Sequence, residues 1–106
     1  MFGTIARVHV RPGMLETLRQ VMVEDQDASI PGWIADYFFA STADPQTGYL
    51  VAIFEDEATY MANADSPEQH QRYLKFRECL TADPEWNDAI VLAAIGPGAP
   101  HSRGDS

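Results

Sequence analysis

With 106 residues the chain has room for one hydrophobic core and needs neither disulfides nor metal to hold it. Sixteen acidic against seven basic residues leave a net charge of −9, a field that repels phosphate backbones and anionic bilayers, so nucleic acid and membrane surfaces are excluded as expected partners. A hydrophobic content of 45% excludes wholesale disorder, and no apolar run approaches the roughly 18 residues of a membrane span.

Residues 2–10 alternate in the manner of a strand. Phe2, Thr4, Ala6, Val8 and Val10 share a mainly apolar face, and Gly3, Ile5, Arg7 and His9 share a mixed one. This opening lacks the basic-then-apolar order of a secretory signal. Arg11-Pro12-Gly13 ends the strand, because proline cannot donate to a ladder and its φ suits a helix start. From about 13 to 29 the period becomes helical, with Leu15, Leu18 and Met22 at i, i+3 and i+7. Ile30-Pro31-Gly32 stops that helix.

A second strand is predicted from Trp33 or Ile34 to about Thr42. The Asp44–Gly48 turn joins it to a third, Tyr49–Glu55, as a hairpin. Asp56 is placed to cap a short helix carrying Ala58, Tyr60, Met61 and Ala62. Ser66-Pro67-Glu68-Gln69 then reads as a capping box opening a longer helix, whose stripe is Tyr73, Phe76 and Leu80. The lone cysteine, Cys79, lies in that helical stretch, where a small buried residue is expected. It forms no intramolecular disulfide and points to a reducing, cytoplasmic setting. Ala89–Ile95 is read as the last strand.

These elements predict an α+β chain of ferredoxin-like order, β-α-β-β-α-β, with a four-stranded antiparallel sheet. Residues 1–96 form the domain, and 97–106 are a Gly/Pro/Ser-rich, disordered tail. Strands two to four carry apolar residues on both faces, whereas one chain's helices cover one face of a sheet. The simplest cover for the other is a second copy, so a homodimer is expected.

The turn and cap signatures carry a family resemblance. They are Val10-Arg11-Pro12-Gly13, Ile30-Pro31-Gly32-Trp33, Asp44-Pro45, Ile53-Phe54-Glu55-Asp56-Glu57-Ala58 and Ser66-Pro67-Glu68-Gln69-His70. Over about residues 2–96 the chain resembles the antibiotic-biosynthesis-monooxygenase-like (ABM) group of the dimeric α/β-barrel superfamily. The resemblance implies a dimeric α/β barrel. It also implies, for some members, oxidation of polycyclic phenols or quinols by dioxygen without any cofactor: the deprotonated substrate supplies the electrons while the protein desolvates it, orients it and accepts a proton. A haem-degrading branch places an Asn on strand one, a Trp on the helix after strand three and a His on the next helix. Here strand one offers Arg7 and His9 and the short helix offers Tyr60 and Asn63, which argues against haem degradation.

Among candidate site residues, His70 is the natural general acid/base, because histidine is the side chain that ordinarily exchanges protons near neutral pH; otherwise it is an exposed or interface histidine. Arg7 and His9 project from one strand face. They either bind an anionic substrate oxygen or make dimer contacts or pair with Glu55 across the sheet. Tyr37, Tyr60 and Tyr73 either donate hydrogen bonds to a phenolic substrate or pack in the core. Trp33 and Trp86 follow turns and are read as packing residues. His9, His70 and His101 lack metal-ligand spacing and no Gly-rich phosphate loop occurs, so no metal and no nucleotide cofactor is expected. The leading reading is a cofactor-independent monooxygenase-like enzyme acting on a small aromatic or quinol substrate in a cleft between sheet and helices. The rivals are a non-catalytic ligand-binding or structural dimer and an isomerase or lyase of the same fold.

Overall fold

A computed structural model describes residues 1–99; the tail expected to be disordered thus lies mostly outside the described residues. Strand β1 (Phe2–His9) is central, flanked by β3 (Thr47–Phe54) and β4 (Glu85–Ile90), with β2 (Trp33–Ala40) outside β3. All three pairings are antiparallel, in the order β2-β3-β1-β4. Three helices, α1 (Leu15–Glu24), α2 (Glu57–Ala64) and α3 (Pro67–Glu78), complete a ferredoxin-like β-α-β-β-α-α-β chain. Among the described residues no helix is long and apolar enough to cross a membrane.

The period-two face of β1 decides where the helices go. Thr4, Ala6, Val8 and Val10 are buried, while Ile5 and Arg7 on the opposite face are exposed. Leu18 of α1 and Phe76, Cys79 and Leu80 at the end of α3 close over Val8 and Val10 as one core cluster. Phe38 lies across Gly48: a side chain there would begin 2.3 Å from the Phe38 ring, so the close strand-to-ring approach requires glycine.

The helix caps follow the sequence. Asp56 accepts from the Thr59 amide at 2.8 Å, and Ser66 from the Gln69 amide at 3.1 Å. Gln69 does not complete the box; its Oε1 accepts from Arg72 at 3.4 Å instead. Helix α1 is shorter than its predicted span of about 13 to 29. Glu24, Asp25 and Asp27 place negative charge at the end where the helix dipole is already negative. Two of them pair across to α3: Glu24 with Lys75 at 3.4 Å and Asp25 with Arg72 at 3.6 Å.

The last strand corrects the sequence reading. It runs Glu85–Ile90 rather than 89–95, because its only partner is β1 and the register sets Phe2 opposite Ile90. The Val91 amide donates to the Met1 carbonyl at 3.0 Å, and the ladder ends there. Leu92 and Ile95 beyond that point are 96% and 90% exposed.

Candidate active site

The core cluster fills only one end of the space between sheet and helices. At the other end, toward the start of β1 and the end of β3, a cavity of about 520 Å³ opens, within the range of small-molecule sites. Its floor is Thr4, Leu50, Ala52, Phe54, Trp86 and Asp88 of the sheet, and Trp33 and Asp36 of β2 form a side. The helices supply Met22 and Asp25, Tyr60 and Asn63, and His70, Arg72, Tyr73 and Phe76. Aromatic rings form part of the walls: Tyr60 stands over Phe2 and Phe54 at centroid distances of 5.2 and 5.7 Å, and Tyr73 meets Trp86 at 6.3 Å.

Of the residues singled out from sequence, His70, Tyr60 and Tyr73 come together around this cavity, with His70 exposed at its edge in the first turn of α3. Arg7, His9 and Tyr37 do not reach it. They lie on the opposite sheet face, where Arg7 pairs in register with Glu85 and Tyr37 with Val51. His9 Nε2 is 3.2 Å from Glu85 Oε2, so its carboxylate neighbour is Glu85 and not Glu55. The cause is strand period: Arg7 and His9 are odd positions of β1, and the helices cover the even ones.

Two carboxylates that sequence reasoning passed over carry the cavity's electrostatics. Asp36 accepts from the Trp33 indole Nε1–H at 3.0 Å. Loss of water around its carboxyl pushes its pKa up, and the indole bond opposes the shift. Asp88 accepts from the Tyr60 hydroxyl at 2.8 Å. Burial, then the Asp88 hydrogen bond and charge, push Tyr60 up to about 12, against a smaller opposing effect of nearby Thr4. Tyr60 therefore stays protonated at any working pH, and its proton is committed to Asp88. Toward a ligand its oxygen is an acceptor, which alters the donor role read from sequence. Thr4 Oγ1, in a residue only 3% exposed, has no partner in hydrogen-bonding geometry.

Asp36 was legible in principle: it shares the period of Phe38 and Ala40, so a carboxylate stood on an apolar strand face. Asp88 was hidden by the misplaced start of the last strand. Cys79 is buried outside the cavity. Burial and then the Glu78 charge push its thiol up, away from nucleophilic use. Among the described residues no three His, Cys, Asp or Glu side chains are grouped to hold a metal ion.

A family model described as antibiotic biosynthesis monooxygenase matches residues 1–74, which include Tyr60, His70 and Tyr73 and stop before Asp88. No curated protein matches the chain. Among solved structures, a Chloroflexus aurantiacus protein assigned to antibiotic biosynthesis monooxygenases is 20% identical with a TM-score of 0.74, over 92% of this chain and 98% of that one. A Bordetella bronchiseptica protein with the same assignment is 18% identical with a TM-score of 0.76, over 87% and 97%. SnoaB, a cofactor-independent oxygenase from Streptomyces nogalater, is 14% identical with a TM-score of 0.74, over 89% and 95%. Likeness at these identities establishes the fold, and the chemistry must be argued from the cavity.

Proposed function

Because the chain belongs to the antibiotic biosynthesis monooxygenase family, we propose that it is a cofactor-independent, monooxygenase-like enzyme that oxidises a small aromatic or quinol substrate with dioxygen in the cleft between sheet and helices. The observation that carries this reading is the cavity of about 520 Å³, walled in part by aromatic rings, with proton-handling groups at its rim. Such a site does what the chemistry asks of a protein when the substrate is its own reductant. It removes water from a planar ring, fixes it edge-on to polar groups and takes its hydroxyl proton. The electron-rich anion that results reduces dioxygen.

His70, exposed at the edge of the cavity, takes the substrate proton and passes it to solvent. Tyr60 and Tyr73 contact the ring. Arg7, His9 and Tyr37 serve the other sheet face, which a second copy of the chain covers in a homodimer. The single free cysteine supports a cytoplasmic setting, where thiols stay reduced.

The test is oxygen consumption with a panel of quinols and polycyclic phenols, the protein freed of metal by a chelator. The expected result is saturable uptake, with a ketone or quinone product, that a chelator does not abolish. Uptake no faster than the uncatalysed background across the panel removes the oxygenase reading.

A further inference from the structure

Four residues of the cavity form a single line across the sheet. The register sets Asp36 of β2 opposite Ala52 of β3, Ala52 opposite Thr4 of β1, and Thr4 opposite Asp88 of β4. All four line the cavity. With neighbouring strands about 4.8 Å apart, the two carboxylates stand on the order of 14 Å from each other across a floor of one methyl and one hydroxyl.

The polar groups on this line are short of donors. Ionised carboxylates only accept, and the one indole N–H beside Asp36 and the one phenol O–H beside Asp88 are already given to them, at 3.0 and 2.8 Å. Among the described residues, each carboxylate thus retains an oxygen without a protein donor. Between them the Thr4 hydroxyl is buried without a partner, a cost that a bound polar ligand would remove. Of the remaining charged groups around the cavity, Arg72 is paired with Asp25 at 3.6 Å, so its cation is matched within the protein. Among the described residues, His70 at the edge is the only other basic side chain in the lining.

We propose that Asp36 and Asp88 are specificity-determining residues, and that the cleft selects an uncharged aromatic carrying hydroxyl donors at opposite ends of its long axis while rejecting anionic analogues of the same shape. Two hydrogen bonds of about 2.7 Å within the 14 Å span leave on the order of 9 Å between the ligand's oxygens, room for two or three fused rings. The methyl of Ala52 lets the ring plane approach the sheet, and the Thr4 hydroxyl meets an oxygen on the ring's middle. Asp36 and Asp88 are both exposed, so a ligand carboxylate at either end would instead face a protein carboxylate across partly hydrated space, where like charges still repel and no unpaired cation among the described lining residues offsets them.

This rests on the same cleft as the proposed oxidation, but its test does not need turnover. The chain's two tryptophans, Trp33 and Trp86, both line the cavity, so intrinsic fluorescence reports occupancy directly. Three probes share one shape: a dihydroxynaphthalene with hydroxyls at opposite ends, its dimethoxy analogue and the matching dicarboxylate. The diol should bind roughly tenfold or more tighter than either analogue. Asp36→Asn with Asp88→Asn supplies amide donors in place of acceptors and should bring the dicarboxylate to within about threefold of the diol. Equal or tighter binding of the dicarboxylate by the unaltered protein overturns the proposal, as does failure of the diol to quench up to its solubility limit. A ratio unchanged in a double variant that melts like the parent overturns it too. If the double variant fails to fold, the three-probe comparison on the parent decides alone. Selective binding without oxygen uptake would sink the oxygenase reading and leave this one standing; turnover without selectivity would do the reverse.

Discussion

The Tyr60 hydroxyl, carried by α2, donates to Asp88 on edge strand β4 at 2.8 Å. It thereby ties a helix that follows β3 to a strand paired with β1, across one end of the cleft. A half-buried phenol held by a carboxylate resists ionisation, because the phenolate would be poorly solvated, would lose its hydrogen bond and would face a negative charge. This is why Tyr60 is pushed to about 12.

Spectrophotometric titration should therefore show one of the four tyrosines ionising late. Asp88→Asn removes the negative charge while keeping an acceptor, and should move that step to lower pH. Tyr60→Phe should delete it. Four tyrosines titrating together near their ordinary value of about 10 would show that the bond does not persist in solution.

The unpartnered Thr4 hydroxyl makes a second, opposite-signed pair of expectations. Thr4→Val keeps the shape and removes a buried polar group that has no partner, so the free protein should gain about 1 kcal/mol, or roughly 4–8 °C in Tm. The same change should weaken binding of a hydroxylated aromatic, measured by tryptophan quenching. A fall in Tm would mean that the hydroxyl is satisfied in solution.

Asp36 predicts a pH dependence of known sign. Its folded-state pKa is raised from 3.8 by desolvation, so the native chain holds that proton more tightly than the unfolded chain. As pH rises from that ordinary value through the raised one, the unfolded state releases its proton first and stability falls. Asp36→Asn removes this loss while its side-chain oxygen can still accept from Trp33. Because Asp36 remains partly in contact with water, the effect is screened, and we expect a gain of no more than about 4 °C at pH 7. The gain should shrink as the pH is lowered toward 4. A variant less stable than the parent at pH 7, or a gain that does not change with pH, contradicts the assignment.

The elements were legible because they depend on local signals: the alternation of β1, the stripe of Leu15, Leu18 and Met22, and the Ser66-Pro67 start of α3. The cavity was legible only in its helical part. His70, Tyr60 and Tyr73 stand out in sequence as chemistry-bearing types on apolar-facing helices. The sheet part depends on register, which joins Asp36, Thr4 and Asp88 from three strands 32 and 84 positions apart in sequence from Thr4. No local pattern carries that alignment. The end of β4 failed for the same reason: Val91–Ile95 is rich in strand-forming residues, but the strand's extent follows its register with β1, which ends at Phe2 opposite Ile90.

His70 separates chemistry from structure. It is exposed, and its side chain carries no part of the core cluster. His70→Ala should therefore leave Tm nearly unchanged while lowering oxygen uptake on a responsive quinol by roughly 100-fold. His70→Gln, of similar reach but without a titrating group, should be as slow. Full turnover in either variant would transfer proton acceptance to another residue, and a large loss of Tm would make the role structural.

The face of the sheet turned away from the helices sets the last expectation. The register aligns Tyr37, Val51 and Ile5 in one row and Phe39, Tyr49 and Arg7 in the next, with Ile53 beside them. Ile5 is 51% and Phe39 57% exposed, and Tyr37 and Tyr49 are exposed with them. A contiguous apolar surface running over three strands is the kind of patch that marks an interaction site. Face-to-face packing of two copies about a two-fold axis would bury on the order of 1,500 Å², the size of a stable interface. Repulsion from a charge of −9 per chain opposes this, but screening over about 8 Å at physiological salt confines that repulsion to nearby groups. Arg7 and His9 beside Glu85 also bring cations to this face. Sedimentation at micromolar concentration should accordingly give twice the chain mass. Ile5→Glu with Phe39→Glu puts carboxylates into the centre of the contact, away from the cleft, and should give a folded monomer whose cavity still binds aromatic probes. A parent protein that sediments as a monomer would leave this face bare and overturn the homodimer.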